Sequence, residues 1–317
     1  ESDHRKHPER IMYGSESVPQ HAWENWEKVK RLPYVIGDFV WTGMDYIGES
    51  GIGHTRLVDK GAKDEGNFLK PWPWYISWCG DLDILGNKKP QSYYRDVIWG
   101  ESKLELMVSM PLPDGMESRI SYWGWYDEFN HWNWEGYEEE AMQVRVYSSY
   151  PEVKVELNGV ELGQANISRQ DKYIAQFRVP YQAGELRAIG MEDGKEVESI
   201  VLKTAGPATQ LALYPEERDL TAHPNALAFI QVEALDNDSL LRADSEDAVQ
   251  VKVSGPARLL AAGNASPLHQ GSFTDRVFHL FRGRGMVIIR STGQSGTIEV
   301  EVDSDNLESA KITLEAL

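Results

Sequence analysis

Tyr34-Val35-Ile36-Gly37-Asp38-Phe39-Val40-Trp41 is an almost unbroken apolar run and reads as a β-strand covered on both faces. A shorter run, Arg10-Ile11-Met12-Tyr13-Gly14, precedes it and reads as a buried strand closed by glycine. Between them, Pro19 introduces Ala22, Trp23, Trp26 and Val29 at three-to-four spacing, with Glu24, Glu27, Lys28 and Lys30 elsewhere. That pattern predicts an amphipathic helix ending near Pro33. Strand, helix, strand is the unit of a parallel α/β sheet. Two parallel strands leave both edges unpaired, so this unit calls for further strands from upstream.

A long stretch rich in Gly, Pro and aromatics follows, and Pro90 opens a second helix through Tyr93, Tyr94, Val97, Ile98 and Trp99, capped near Asn87 or Lys88. From about residue 101 the pattern changes to short alternating strands. Met142 to Tyr147 and Val153 to Leu157 alternate, and Asn158-Gly159 and Asp193-Gly194 supply hairpin turns. Further strands are expected at Tyr173 to Val179 and Gly184 to Met191, which together suggest a β-sandwich. A second block of similar class is carried by Ala228 to Ala234, Val249 to Val253, Gly285 to Ser291, Thr297 to Val302 and Ala310 to Leu314, with Ala205-Gly206-Pro207 as the linker. All 11 Trp lie at or before Trp134, a composition break between two kinds of structure.

The formal charge of −18 makes nucleic acid and anionic membrane surfaces poor partners and leaves neutral substrates such as sugars open. No apolar run approaches the ~18 residues of a membrane span. Cys79 is alone, so no intrachain disulfide is available. The opening Glu1-Ser2-Asp3-His4-Arg5-Lys6-His7-Pro8 is polar and carries no signal core. The His residues lack metal-ligand spacing, and no cofactor or phosphate-binding motif is found.

Glu16, in Gly14-Ser15-Glu16-Ser17, follows an apolar strand. At the C-terminal end of a parallel barrel strand, a carboxylate is placed to attack an anomeric carbon. An acid favouring a helix start is the competing explanation. Trp41 ends the second strand and offers a flat apolar platform for a sugar ring, or equally a core ring. Asp38, Asp45 and Glu49 are nearby acids able to hold sugar hydroxyls or to serve structure. The cluster Tyr122-Trp123-Gly124-Trp125-Tyr126 with His131-Trp132-Asn133-Trp134 reads either as a carbohydrate-stacking surface or as packing between the sandwich and the preceding unit.

These residues resemble glycoside hydrolase family 2, in particular multidomain β-galactosidases of the Bacteroides type. Gly14-Ser15-Glu16-Ser17 is similar to the end of barrel strand seven, and Gly37 to Glu49 to the strand-eight segment. Trp78-Cys79-Gly80-Asp81-Leu82-Asp83 and Lys89 to Arg95 resemble the approach to the last barrel helix. His131-Trp132-Asn133-Trp134 and Leu157-Asn158-Gly159 are similar to the domain that follows the barrel, and Ala262-Gly263-Asn264 with Phe273 to the final sandwich.

The resemblance implies a mixed fold: strands seven and eight and helices of a TIM (β/α)8 barrel over 1–100, then immunoglobulin-like β-sandwiches over 101–205 and 206–317. It implies Glu16 as nucleophile, Trp41 and Asp45 as substrate-binding residues, and Trp132 and Trp134 as secondary carbohydrate or interdomain contacts. It also implies that the acid/base Glu lies upstream, so that the chain alone is inactive. The expected partners are a carbohydrate substrate, the upstream part of the same enzyme and, as an open option, a second copy in a homo-oligomer. No cofactor is called for, a structural or activating metal is left as an open option, and the family's location is periplasmic or secreted. A β-glucuronidase or β-mannosidase of the same family is the nearest alternative. A non-catalytic, carbohydrate-binding or architectural pair of sandwiches is the other.

Overall fold

Each periodic segment of the sequence becomes a regular element in a computed structural model, which describes residues 1–63, 69–269 and 271–317. Helix α1 (Ser2–Lys6) is followed by β1 (Met12–Ser17), α2 (Ala22–Arg31) and β2 (Val35–Val40). β1 and β2 pair in parallel, and among the described residues they pair only with each other. The segment expected to belong to a barrel is a strand–helix–strand unit, and among the described residues no barrel closes. Pro19 starts a single 3-10 turn that runs into α2, and Ala22 and Trp23 are the buried stripe of that helix.

Next come β3 (Thr55–Asp59), α3 (Pro90–Trp99), β4 (Leu104–Ser109), β5 (Met116–Ile120), β6 (Ala141–Ser148), β7 (Glu152–Leu157), β8 (Val160–Asn166), β9 (Ile174–Pro180), β10 (Glu185–Glu192) and β11 (Lys195–Lys203). Pro90 begins α3 where its missing N–H is harmless, and Gly100 ends it in the left-handed region, its N–H donating to the Asp96 carbonyl. The cap falls on Lys89, one or two residues later than the sequence suggested.

β4–β6–β9 form one sheet and β11–β10–β7–β8 the other, and together they enclose a core of Leu104, Leu106, Val108, Met142, Val144, Val146, Val153, Val155, Leu186 and Ala188. Asn158-Gly159 and Asp193-Gly194 all take positive φ, as two-residue hairpin turns require. β3 and β5 make a separate antiparallel ribbon that the sequence did not announce.

The outer face of β4 and β6 is buried as well. Met107 and Tyr147 pack there with Ala22 and Trp23 of α2, with Tyr94, Val97 and Ile98 of α3, and with Trp125. Residues 1–202 accordingly form one compact unit.

Residues 203–317 form a second unit. It contains β12 (Gln210–Pro215), β13 (Asp219–Leu220), β14 (Leu227–Leu235), β15 (Ala248–Ser254), β16 (Ala257–Gly263), β17 (Val277–His279), β18 (Arg284–Ser291), β19 (Gly296–Asp303) and β20 (Ala310–Ala316). The sheets β12–β14–β18–β16 and β13–β20–β19–β15–β17 close over Ile230, Val232, Val249, Val251, Val287, Ile289, Ile298 and Val300.

In the first unit a charged pair is sealed against the outer face of β6. Arg145 Nη1 donates to Glu128 Oε2 at 2.5 Å, Trp125 Nε1 donates to Glu128 Oε1 at 3.2 Å, and the Tyr147 hydroxyl donates to the same oxygen. Removing one member of a buried pair strands the other, at a cost of about 3–5 kcal/mol. Glu128→Ala should therefore lower the urea midpoint of this unit strongly, and Glu128→Gln, which still accepts hydrogen bonds, should lower it less. Equal midpoints for wild type and Glu128→Ala would show that Arg145 finds water instead.

Candidate active site

The parallel ladder sets the site. Met12 pairs with Val35, Gly14 with Asp38 and Ser17 with Val40, so the register slips by one residue at Gly14 and recovers by Ser17. The Asp38 carboxylate lies across Gly14, where a Cβ would stand 2.3 Å from Asp38 Oδ1. A larger residue there would make that carboxylate turn away.

Beyond this point both strands end together, with Trp41 N–H donating to the Ser17 carbonyl at 3.0 Å. Glu16 thus sits one residue before the end of β1, next to the strand end that carries Trp41. The sequence had placed Glu16 after its strand; in the structure the ladder continues past it. Ser17 is buried, and its hydroxyl accepts from Asn25 Nδ2 of α2 at 3.0 Å, which ties the strand end to the helix. The Glu16 side chain is exposed and makes no hydrogen bond among the described residues.

Trp41 is half-buried, with Tyr46 at 6.4 Å edge-on and Trp123 tilted at 6.3 Å. The peptide bond from Trp41 to Thr42 is cis. From there the chain is laced to the segment ahead of α3: Asp81 N–H donates to Thr42 O at 2.9 Å, Leu82 N–H to Gly43 O at 3.0 Å and Asp45 N–H to Leu82 O at 2.9 Å.

Asp45 is the anchor of this lacing, not an open ligand for sugar hydroxyls. Its side chain is fully buried. Lys89 Nζ donates to both its oxygens, at 3.0 and 2.9 Å, and Gly80 N–H donates to Oδ1 at 2.7 Å. Lys89 also donates to the Trp78 carbonyl at 2.9 Å and lies 3.9 Å from the centre of the Trp78 ring. Gly80 is required here, because a Cβ would meet Asp45 N at 2.2 Å. Glu49 accepts a hydrogen bond from Tyr46.

The aromatic cluster divides into two. Trp125 stacks on Tyr94 of α3 at 5.1 Å, the packing role foreseen for the cluster. Trp132 and Trp134 do otherwise. Trp132 is completely buried in the sandwich core, edge-on to Tyr181 at 5.0 Å, with Nε1 donating to the Gln182 carbonyl at 2.9 Å. Trp134 is buried in the same core and stacks on His131 at 4.7 Å. Neither ring has a face open to a sugar. Among the described residues no group of three or more His, Cys, Asp or Glu is gathered to hold a metal ion.

The chain thus sets a carboxylate near a parallel strand end and follows it with two β-sandwich cores. Residues 211–313 match the model of glycoside hydrolase family 2 C-terminal domain 5, and residues 139–198 match a domain of unknown function, DUF4982. β-Galactosidase BoGH2A of Bacteroides ovatus is 26% identical over 293 residues, covering 92% of this chain and 30% of its own length. The crystal structure of a family 2 member from Bacteroides cellulosilyticus is 33% identical with a TM-score of 0.89, covering 100% of this chain and 40% of its own. A family 2 β-glucuronidase structure shares the fold at 19% identity and a TM-score of 0.70, covering 94% of this chain and 27% of its own. The chain belongs to glycoside hydrolase family 2 and spans less than half the length of each of these relatives.

Burial pushes the Asp45 carboxyl up from its ordinary 3.8 to about 6, against the pull of Lys89 and the Gly80 N–H. The folded protein then holds a proton that the unfolded chain releases between roughly pH 4 and 6. This contribution to stability is present below about pH 4 and lost as the pH rises through about 6. In Asp45→Asn it is absent. The unfolding free energy of wild type minus that of Asp45→Asn should fall from pH 4 to pH 7 in urea titrations. A constant difference would refute the assignment.

Proposed function

We propose that this chain is the C-terminal part of a retaining exo-β-glycosidase, most consistent with a β-galactosidase, in which Glu16 is the nucleophile. The observation that carries the reading is the exposed Glu16 carboxylate, set by the β1–β2 ladder one residue from the Trp41 strand end. Retaining hydrolysis uses two carboxyl groups about 5–5.5 Å apart. One protonates the leaving oxygen while the other attacks the anomeric carbon. Water, deprotonated by the first, then releases the sugar with its configuration kept.

Neighbouring acids are poor candidates for the second role. Asp45 is buried against Lys89, Asp38 is turned over Gly14, and Glu49 is held by Tyr46. The acid/base therefore comes from the longer enzyme, and the chain alone does not turn over glycosides. Ile11, Tyr13, Ile36 and Phe39 of the strand pair are each at least 60% exposed, an apolar surface that suits the remaining strands of a (β/α)8 barrel. In this reading residues 1–100 complete that barrel, and 101–205 and 206–317 are immunoglobulin-like sandwiches. The galactosidase preference follows the name of the Bacteroides ovatus relative.

In the full-length enzyme Glu16→Gln should reduce aryl β-galactoside turnover by roughly 10³–10⁶-fold with melting unchanged. A 2-fluoro-β-galactoside should label the wild-type peptide containing Glu16. Near-wild-type turnover in the variant, or a label on another carboxylate, would sink the proposal.

A further inference from the structure

A cleft of about 560 Å³ opens between the β3–β5 ribbon, the turn at Met110 to Asp114 and the outer face of β6. It shares no residue with the Glu16–Trp41 region, and its volume lies within the ~300–1,000 Å³ range of small-ligand clefts.

The floor is Arg145, which is buried. Its guanidinium lies 3.7 Å from the centre of the Tyr126 ring, and its Nη1 is used by Glu128. The groups left to meet an occupant of the cleft are the amide of Gln143 and the hydroxyls of Tyr126 and Tyr137. Gln143 stands two residues away on the same face of β6, and Asp127 and Tyr137 also line the space. The side chains of Gln143, Tyr126 and Tyr137 form no hydrogen bond within the described residues.

Charge narrows the class of ligand. The lining acids Asp114, Asp127 and Glu140 outnumber Arg56 and Arg145, and Glu128 already neutralises Arg145. An anion is therefore disfavoured. Rings and phenol hydroxyls beside an amide offer flat faces to C–H groups, with both donors and acceptors for hydroxyls. We propose that this cleft binds a neutral mono- or disaccharide without hydrolysing it. The inference goes beyond the role proposed for Glu16 and does not rest on it.

The test uses the full-length protein, titrated calorimetrically with lactose, cellobiose and maltose, and with glucuronic acid as the charged comparison. At least one neutral disaccharide should bind, and Gln143→Leu and Tyr137→Phe should each weaken that binding at least tenfold. Neither side chain is hydrogen-bonded among the described residues, so both variants retain the fold, and melting temperature and aryl-glycoside hydrolysis should be unchanged in both. Three outcomes would overturn the proposal: no neutral disaccharide binds, binding is unaltered in both variants, or glucuronic acid binds more tightly through the same residues. Polypeptide filling the cleft in a structure of the full-length enzyme would overturn it as well.

Discussion

A single buried lysine organises the segment that carries Trp41. Lys89 contributes three hydrogen bonds, two to Asp45 and one to the Trp78 carbonyl, and it lies against the Trp78 ring. Asp45 in turn takes the Gly80 N–H. A lone buried ammonium or carboxylate would be very unfavourable, but here each is matched by the other and by backbone groups. The consequence is geometric. The side-chain pair fastens the chain leaving β2 to the chain entering α3 beside their backbone hydrogen bonds, and Pro90, directly after Lys89, starts the helix from there. Trp41 owes its position to a pair of residues that touch no substrate in the proposed reaction.

Around that anchor, packing takes over. β4 and β6 are covered on both faces, by the sandwich core on one and by α2, α3 and Trp125 on the other. This is why alternating segments such as Met142 to Tyr147 hide both their apolar and their intervening residues. Arg145 and Tyr147 can be buried on the outer face only because Glu128 and Trp125 satisfy them. The same arrangement leaves Arg145 Nε buried without an acceptor among the described residues.

Much of this was legible from residue order. The strand–helix–strand unit, the helix opened by Pro90 and the paired Asn-Gly and Asp-Gly turns rest on short-range signals, and each is present. The β3–β5 ribbon was not legible, because it joins Thr55–Asp59 to Met116–Ile120 across a long interval. Its strands also carry charges, at Arg56, Asp59, Glu117 and Arg119, that blur any alternation. The fate of the aromatic cluster was equally hidden. Trp125, Trp132 and Trp134 sit in similar local sequence, yet one faces α3 and two fill the sandwich. Nothing in Lys88-Lys89 marks the second lysine as buried and the first as a surface partner of Asp96.

The break in tryptophan usage after Trp134 follows from the two ways of building order. The sandwich strands satisfy their backbone through ladders, so aliphatic residues at every second position complete the core. The described parts of the stretch from Thr42 to Lys89 have few ladders to lean on. Their order has to come from large rings that bury much area each and from specific polar fastenings such as Asp45–Lys89. Periodic signals therefore identify the scaffold, while the residues that shape the candidate site are aperiodic and become visible only once the chain is folded.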